Sequence, residues 1–402
     1  MARQHFNRAT APNIMTLVTA AATSALCMNV FLPSLPGMAR HFEADYAVVQ
    51  LVVSLYLAAT ALLQVFIGPA SDRFGRRPVM LVCFAIFIVG TVAALYAPTI
   101  EFLLGCRLLQ AFSAAGVVLS RAVVRDTVEA AQAASKIGYI TMGMSLAPMI
   151  GPVIGGFLDE LYGWHSTFLL MLAVGVFAFA IVWMDLGETN HERSPNLLAQ
   201  FRAYPELIGS QRFWGYTLTA VFTSGGFYAF LGGGPYIASE MLHLTASQYG
   251  FYFAIVSIGY MFGNFMSGRF SSKLGINRMM LCGNVIAIGG MALSITLFML
   301  GYNHPLSLFG PVLFIGVGNG VTLPSANAGI VSVSAHLAGS ASGLGGALTI
   351  GGGAALAVLA GALLTPETGP YPLLWLMLLS SVAAVLSTWY VMRATLDAAE
   401  AW

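Results

Sequence analysis

The chain has 402 residues, of which 58% are hydrophobic and 8% charged, and its 17 Lys and Arg nearly balance its 16 Asp and Glu. An ordinary soluble domain carries roughly a quarter charged residues, so this composition excludes a soluble protein and any sizeable soluble domain between the apolar runs. The near-zero net charge says little about partners, and nothing in the chain points to nucleic acid.

Crossing a ~30 Å hydrocarbon core takes about 20 helical residues. Cutting the chain at its charges and turn residues predicts twelve helices, at 12–37, 46–70, 78–99, 101–121, 136–158, 163–185, 213–237, 246–268, 278–300, 306–330, 337–363 and 371–392. The basic start before helix 1 is like that of a secretory signal, but the apolar run is too long for one and another helix follows closely. Between helices 2 and 3 lies GPASDRFGRRP, and 200 residues later, between helices 8 and 9, GRFSSKLGINR repeats it. Gly68 aligns with Gly268, Arg73 with Lys273 and Gly75 with Gly275, while Asp72 has become Ser272 and Arg76 has become Ile276. Gly143 and Gly151 in helix 5 align at the same offset with Gly343 and Gly351 in helix 11. A repeat of six helices leaves both copies in one orientation, with substrate expected between them near the midplane.

The only long polar interruption, Gly187 to Arg212, divides six helices from six. The expected domains are thus a bundle at 1–186, a linker at 187–212 on the cytoplasmic surface, and a bundle at 213–402. Residues 279 to 366 contain no Asp, Glu, Lys or Arg, so helices there are separated only by Asn303-His304-Pro305 and the region around His336. With a cytoplasmic N-terminus, every Lys and Arg except Arg40 and Arg107 falls inside, as the positive-inside rule requires. Cys27, Cys83, Cys106 and Cys282 all lie in predicted helices without the spacing of a metal or redox motif.

GPASDRFGRRP resembles the loop 2–3 signature of the major facilitator superfamily. CRLLQAFSAAG, from Cys106 to Gly116, is similar to its helix 4 motif, and APMIGPVIGG, from Ala147 to Gly156, to the helix 5 motif of its drug antiporters. FLPSLPGMARHF, RAVVRD at 121–126 and GNGVTLPSANAG at 318–329 resemble the bicyclomycin and chloramphenicol resistance branch, Bcr/CflA. The resemblance covers nearly the whole chain. It implies an all-α membrane protein of twelve transmembrane helices, with two six-helix halves around a central cavity lined by helices 1, 4, 7 and 10. It also implies alternating-access efflux of small organic molecules by proton antiport, in a bacterial inner membrane with both termini cytoplasmic. No cofactor is expected. The expected partners are the small-molecule substrate, protons and the lipid bilayer, and the expected state is a monomer.

Four groups of residues are the candidate machinery. In the loop, Gly68 and Gly75 permit a sharp turn, and Asp72 can cap a helix or pair with an Arg. Asp72, Arg73, Arg76, Arg121 and Arg125 are expected to form a charge latch between helices 2, 4 and 11 that breaks during transport. Arg107 near the middle of helix 4 is the costliest residue, at about 2.5 to 3.5 kcal/mol for a membrane-centre Arg. It is expected to face the cavity with Gln110 on the same face and Asn29 within approach, and to serve coupling or an anionic part of the substrate. In helix 5, Ala147, Gly151 and Gly155 share a face while Pro148 and Pro152 permit bending, so these residues with Gly156 form an expected hinge. Tyr56, Tyr228, Tyr260, Asn264, Asn319 and Asn327 are candidates for the cavity wall.

The branch typically carries an acid in helix 1, where this chain has Asn29. Asparagine cannot titrate, Arg does not deprotonate in practice, and no Asp or Glu lies deep in a predicted helix. Proton coupling is therefore implied by the resemblance and opposed by the local residues, which leaves a uniporter or an importer of a specific metabolite or anion as the alternative. Nineteen Met residues also suit a soft-metal (copper) transporter, and a non-transporting scaffold is the last alternative. No HExxH, GxSxG or paired intramembrane carboxylates point to an enzyme.

Overall fold

The computed structural model describes residues 10–128, 130–190, 204–334 and 338–400. Arg3, Arg8, Arg193, Arg202 and His336 lie outside the described residues, as does half of the linker, 191–203. The long helical units are α1 (Ile14–His41), α2 (Tyr46–Phe74), α3 (Arg76–Leu95), α4 (Ile100–Thr127), α5 (Ala130–Tyr162) and α6 (His165–Asp185). They continue with α7 (Gln211–Tyr236), α8 (Ala246–Leu274), α9 (Ile276–Met299), α10 (Pro305–Ser332), α11 (Ala338–Leu363) and α12 (Tyr371–Glu400). Among the described residues, nine helices are long and apolar enough to cross a membrane by length and composition.

Local chemistry sets most of the helix ends. Asn13 caps α1 by accepting from the Met15 N–H, and Thr99 does the same for Phe102 at the start of α4. Thr245 and Gln248 form a reciprocal capping box on α8. In the charge-free stretch, the predicted break falls where expected: Gly301 turns at φ 85°, His304 caps, and Pro305 begins α10.

Several helices run past their predicted limits. α1 tightens to a 3₁₀ turn over Leu32–Ser34, at the Pro33 of FLPSLPG, and resumes to His41. α3 starts at Arg76 rather than 78, because Gly75 at φ 103° has already ended α2 and Pro78 is tolerated in the first turn. α7 continues into a single π turn, Ile237–Met241. Outward-facing apolar side chains such as Leu62, Phe66, Val89, Phe177 and Phe265 are exposed, a surface suited to hydrocarbon rather than water.

Inside, Phe31, Phe84, Phe87 and Phe168 are fully buried among the first six helices. Among the last six, Phe230 stacks on Phe253 at 5.9 Å and meets Phe309 edge-on at 5.8 Å. In lipid such packing, rather than exclusion from water, holds helices together. Two close backbone approaches fall on α5: a Cβ on Gly155 would collide with the Val30 carbonyl of α1, and one on Gly156 with the Ala246 carbonyl of α8.

Candidate functional site

Arg107 is 0% exposed, and its guanidinium is fully enclosed by the first half. Its Nε donates to the Val52 carbonyl at 3.0 Å, Nη1 to Gln110 Oε1 at 2.6 Å and Nη2 to the Cys27 carbonyl at 3.3 Å. Phe31 and Tyr56 flank it, with ring centroids 4.2 and 4.4 Å from Cζ. Three hydrogen bonds and two π faces thus compensate the buried charge without a carboxylate. Gln110 completes a chain, donating to Thr91 Oγ1 at 3.1 Å.

This arrangement corrects three expectations. Arg107 does not face a cavity, because Val52 and Tyr56 of α2 close over it. Asn29 is not its partner; 1% exposed, it turns its amide back to the Ala25 carbonyl at 2.6 Å and leaves Oδ1 buried without a donor. The side-chain NH2 of a helical Asn can bond a carbonyl of its own preceding turn in place of a partner on another helix. Tyr56 belongs to the same interior, its hydroxyl meeting the Ser24 carbonyl at 3.2 Å and Ser113 Oγ at 3.0 Å, so it is not a wall residue in this conformation.

The remaining wall candidates separate. The Tyr228 ring lies against Gly353 of α11, with Tyr56 and Tyr260 within electrostatic reach of its hydroxyl. Asn264 donates to the Tyr260 carbonyl at 2.9 Å. Asn319 is buried and Asn327 exposed, so the five do not form one hydrogen-bonded cluster.

The GPASDRFGRRP turn is tied down, though not as expected. Arg76 pairs with Asp72 at 2.5 Å and with Asp126 of α4 at 2.9 Å. The α4 residue that Arg76 meets is therefore the acid Asp126, where Arg121 and Arg125 had been expected beside Asp72. Arg121 instead has a buried Nε without an acceptor, with Arg125 and Tyr260 nearby. Arg125 is exposed, and Arg73 lies over the Phe74 ring at 5.5 Å.

The third element of the network is the segment after α6, where sequence reading had placed helix 11. Glu188 Oε1 accepts the backbone N–H groups of Arg76, Thr189 and Asn190. Asn190 donates to the Asp72 carbonyl at 2.9 Å, and Arg77 to the Leu186 carbonyl at 2.8 Å. A carboxylate at the start of α3 meets unsatisfied N–H groups and the positive end of the helix dipole. Gly68, by contrast, has nothing within 4 Å of an added Cβ.

The two halves are sealed together at the end opposite Gly75. Three hydrogen bonds join them there: Tyr46 Oη to the Gly232 carbonyl at 3.0 Å, Gln50 Nε2 to the Ala357 carbonyl at 2.8 Å, and Ser247 Oγ to Glu160. From Gln50 the α2–α11 contact runs inward to Ala61 opposite Gly351 and Gln64 opposite Gly346. On the other side of the seam Gly156 and Pro152 of α5 meet Ala246 and Gly250 of α8. Gly151 packs on Leu26 and Asn29 of α1, and Pro148 lies inside the unbroken α5.

Gln50, Asp126 and Glu188 were missed by sequence reading. Asp126 stood inside the RAVVRD segment, but Gln50 and Glu188 carried no local signal, because their partners lie more than 100 residues away.

The family model for the Major Facilitator Superfamily matches residues 17–357 and 235–400. Over 389 residues the chain is 29% identical to a bicyclomycin resistance protein homolog of Haemophilus influenzae, covering 94% of this chain and 95% of the relative. It is also 29% identical over 378 residues to multidrug resistance protein D of Escherichia coli, covering 93% and 94%. Its fold is similar to that of a bacterial homolog of the human lysosomal transporter Spinster in an inward-facing and occupied conformation, with a TM-score of 0.75, 17% identity, and 95% and 96% of the two chains covered. A multi-helix chain matched by this family model over nearly its full length, and by drug-resistance relatives end to end, belongs to the Major Facilitator Superfamily.

Proposed function

We propose that this transporter exports small organic molecules across the bacterial inner membrane by alternating access, as a monomer with both termini cytoplasmic. Residues 1–186 and 213–402 act as two bodies joined by the 187–212 linker. The observation that carries the reading is the one-ended seal: Tyr46, Gln50 and Glu160 of the first half bond Gly232, Ala357 and Ser247 of the second at a single end. Charge placement makes that end the outer one. Three hydrogen bonds and a line of small residues form a closure light enough to break and remake. The glycine and proline positions of α5, lying on both α1 and α8, act as the bending element. The drug-resistance names of the relatives support organic molecules as cargo and efflux as the direction.

Proton antiport is the form of coupling proposed, and Asn29 is the residue against it. Uniport is the second reading, favoured by a buried Asn29 that cannot titrate and an Arg107 compensated by neutral groups. Flux of chloramphenicol and other amphipathic drugs in proteoliposomes, with and without a pH gradient, separates the two. Gradient-driven export supports antiport. Wild-type flux indifferent to the gradient, together with an Asn29→Asp variant that responds to it, would establish uniport and locate the missing group. No flux under either condition, with a related drug exporter active in the same vesicles, would sink the transport reading.

A further inference from the structure

The three bonds that close the outer end are not equivalent. Tyr46 is half-buried and Glu160 exposed, so water competes for both. Gln50 of α2 is 0% exposed, and its amide is satisfied across the seam. Nε2 donates to the Ala357 carbonyl of α11 at 2.8 Å, while Oε1 lies 3.4 Å from the Ser54 hydroxyl of its own helix. A buried amide keeps such a partner, and this one belongs to the other half.

Two glycines of the second half shape a socket for that side chain. A Cβ on Gly361 of α11 would fall 2.8 Å from Gln50 Oε1 and 2.9 Å from both Cδ and Cγ, and one on Gly232 of α7 would fall 2.7 Å from Nε2. These are far inside van der Waals contact, so the socket holds Gln50 only because both positions lack a side chain. The seam on the other side is built differently. At the 200-residue offset Gln50 corresponds to Gly250 of α8, whose own Cβ would meet the Pro152 carbonyl of α5. There backbone lies directly on backbone, and the position has no side chain to withdraw.

We propose that Gln50 is the bolt of the outer gate: its side chain fills the Gly232–Gly361 socket when this end is shut and leaves it when the end opens, and its fit sets the balance between the two states. The assignment rests on alternating access as the mode of transport. Tyr46 and Glu160 add to the closure without deciding it. On withdrawal the amide exchanges the Ala357 carbonyl for water, a nearly balanced exchange of hydrogen bonds that keeps the bolt reversible.

Spin-label distances across the α2–α11 seam test this in the full chain, without cargo or a gradient. Asp45 and Glu367 are exposed at the outer ends of these helices, and Cys282 is exposed while the other three cysteines are buried. Labels at Asp45→Cys and Glu367→Cys, with Cys282→Ser, therefore report the seam. Gln50→Ala is expected to raise the weight of the longer, open distance about tenfold, and Tyr46→Phe no more than about threefold. Gly361→Ala, which fills the socket with Gln50 intact, is expected to open the seam at least as far as Gln50→Ala. The Gln50→Ala/Gly361→Ala pair is expected to match Gln50→Ala alone, because the added methyl then has no bolt to displace. Additive shifts in the pair would overturn the bolt, as would equal effects of Gln50→Ala and Tyr46→Phe. A wild type that populates both distances, with weights unmoved by Gln50→Ala, would overturn the bolt and leave alternating access standing. One distance in every variant would overturn both.

Discussion

Gly75 and Gly275 end their helices alike: φ is 103° and 80°, ψ is 149° and 155°, and each N–H returns to a serine carbonyl, Ser71 or Ser271, at 3.0 and 2.9 Å. What surrounds them differs. A Cβ on Gly75 would meet the Glu188 carboxylate and, at 3.3 Å, Pro78, whereas one on Gly275 would meet nothing within 4 Å. Arg76 bridges Asp72 and Asp126, while Ile276 and Ser272 fill the corresponding second-half positions with no charge at all. Backbone shape and charge network are therefore separable: the turn needs only a residue that tolerates positive φ, and the network needs partners from α4 and from the segment after α6. The first turn is pinned to the segment after α6, while a Cβ added at Gly275 of the second would meet open space.

The sharpest way to break this comparison is to add the same methyl group to both turns. Gly75→Ala and Gly275→Ala each incur backbone strain of about 1–3 kcal/mol. Gly75→Ala should lose about 1–3 kcal/mol more because it displaces Glu188 from three N–H groups. Thermal unfolding in detergent reads the difference, and equal losses would mean that the network adds nothing. Next in size, Glu188→Ala should cost about 1–3 kcal/mol and leave insertion intact, with the pinned end of α3 exchanging its amide hydrogens faster. A smaller effect is expected from Asp126→Asn, about 1 kcal/mol for a partly exposed pair, with drug flux changed more than expression. The smallest belongs to Ser272→Asp with Ile276→Arg. Rebuilding the pair in the second half should move stability by no more than about 0.5 kcal/mol, and a larger gain would show that a partner for it already exists there.

Much of the fold was legible because it is written in long apolar runs and in turn residues whose chemistry is local. The Asn13 and Thr99 caps, the Gly75 and Gly275 breaks and the His304-Pro305 start all follow from residues adjacent to the helix ends they set. The site was legible only in part. Arg107 and Gln110 were read as one unit, since residues three apart share a helix face. The direction they face was misjudged, because depth along a helix does not say which neighbour closes over it. Asp72 and Arg76, expected in one charge group, do pair, but Asp126 of α4 and Glu188 after α6 were not foreseen, and Arg121 and Arg125 had been expected in their place.

The sequence by itself determined a membrane-embedded helical protein, its break points, its family and the absence of a titratable group at position 29. Those depend on hydrophobicity, turn chemistry and residue identity, which are properties of the chain. Only the tertiary structure decided that carbonyls and aromatic rings rather than an acid compensate Arg107, and that Gln50 and Glu160 seal one end. Each of these joins residues far apart in the chain, and the free energy of a buried charge or an unpaired hydroxyl depends on what lies within a few ångströms in space.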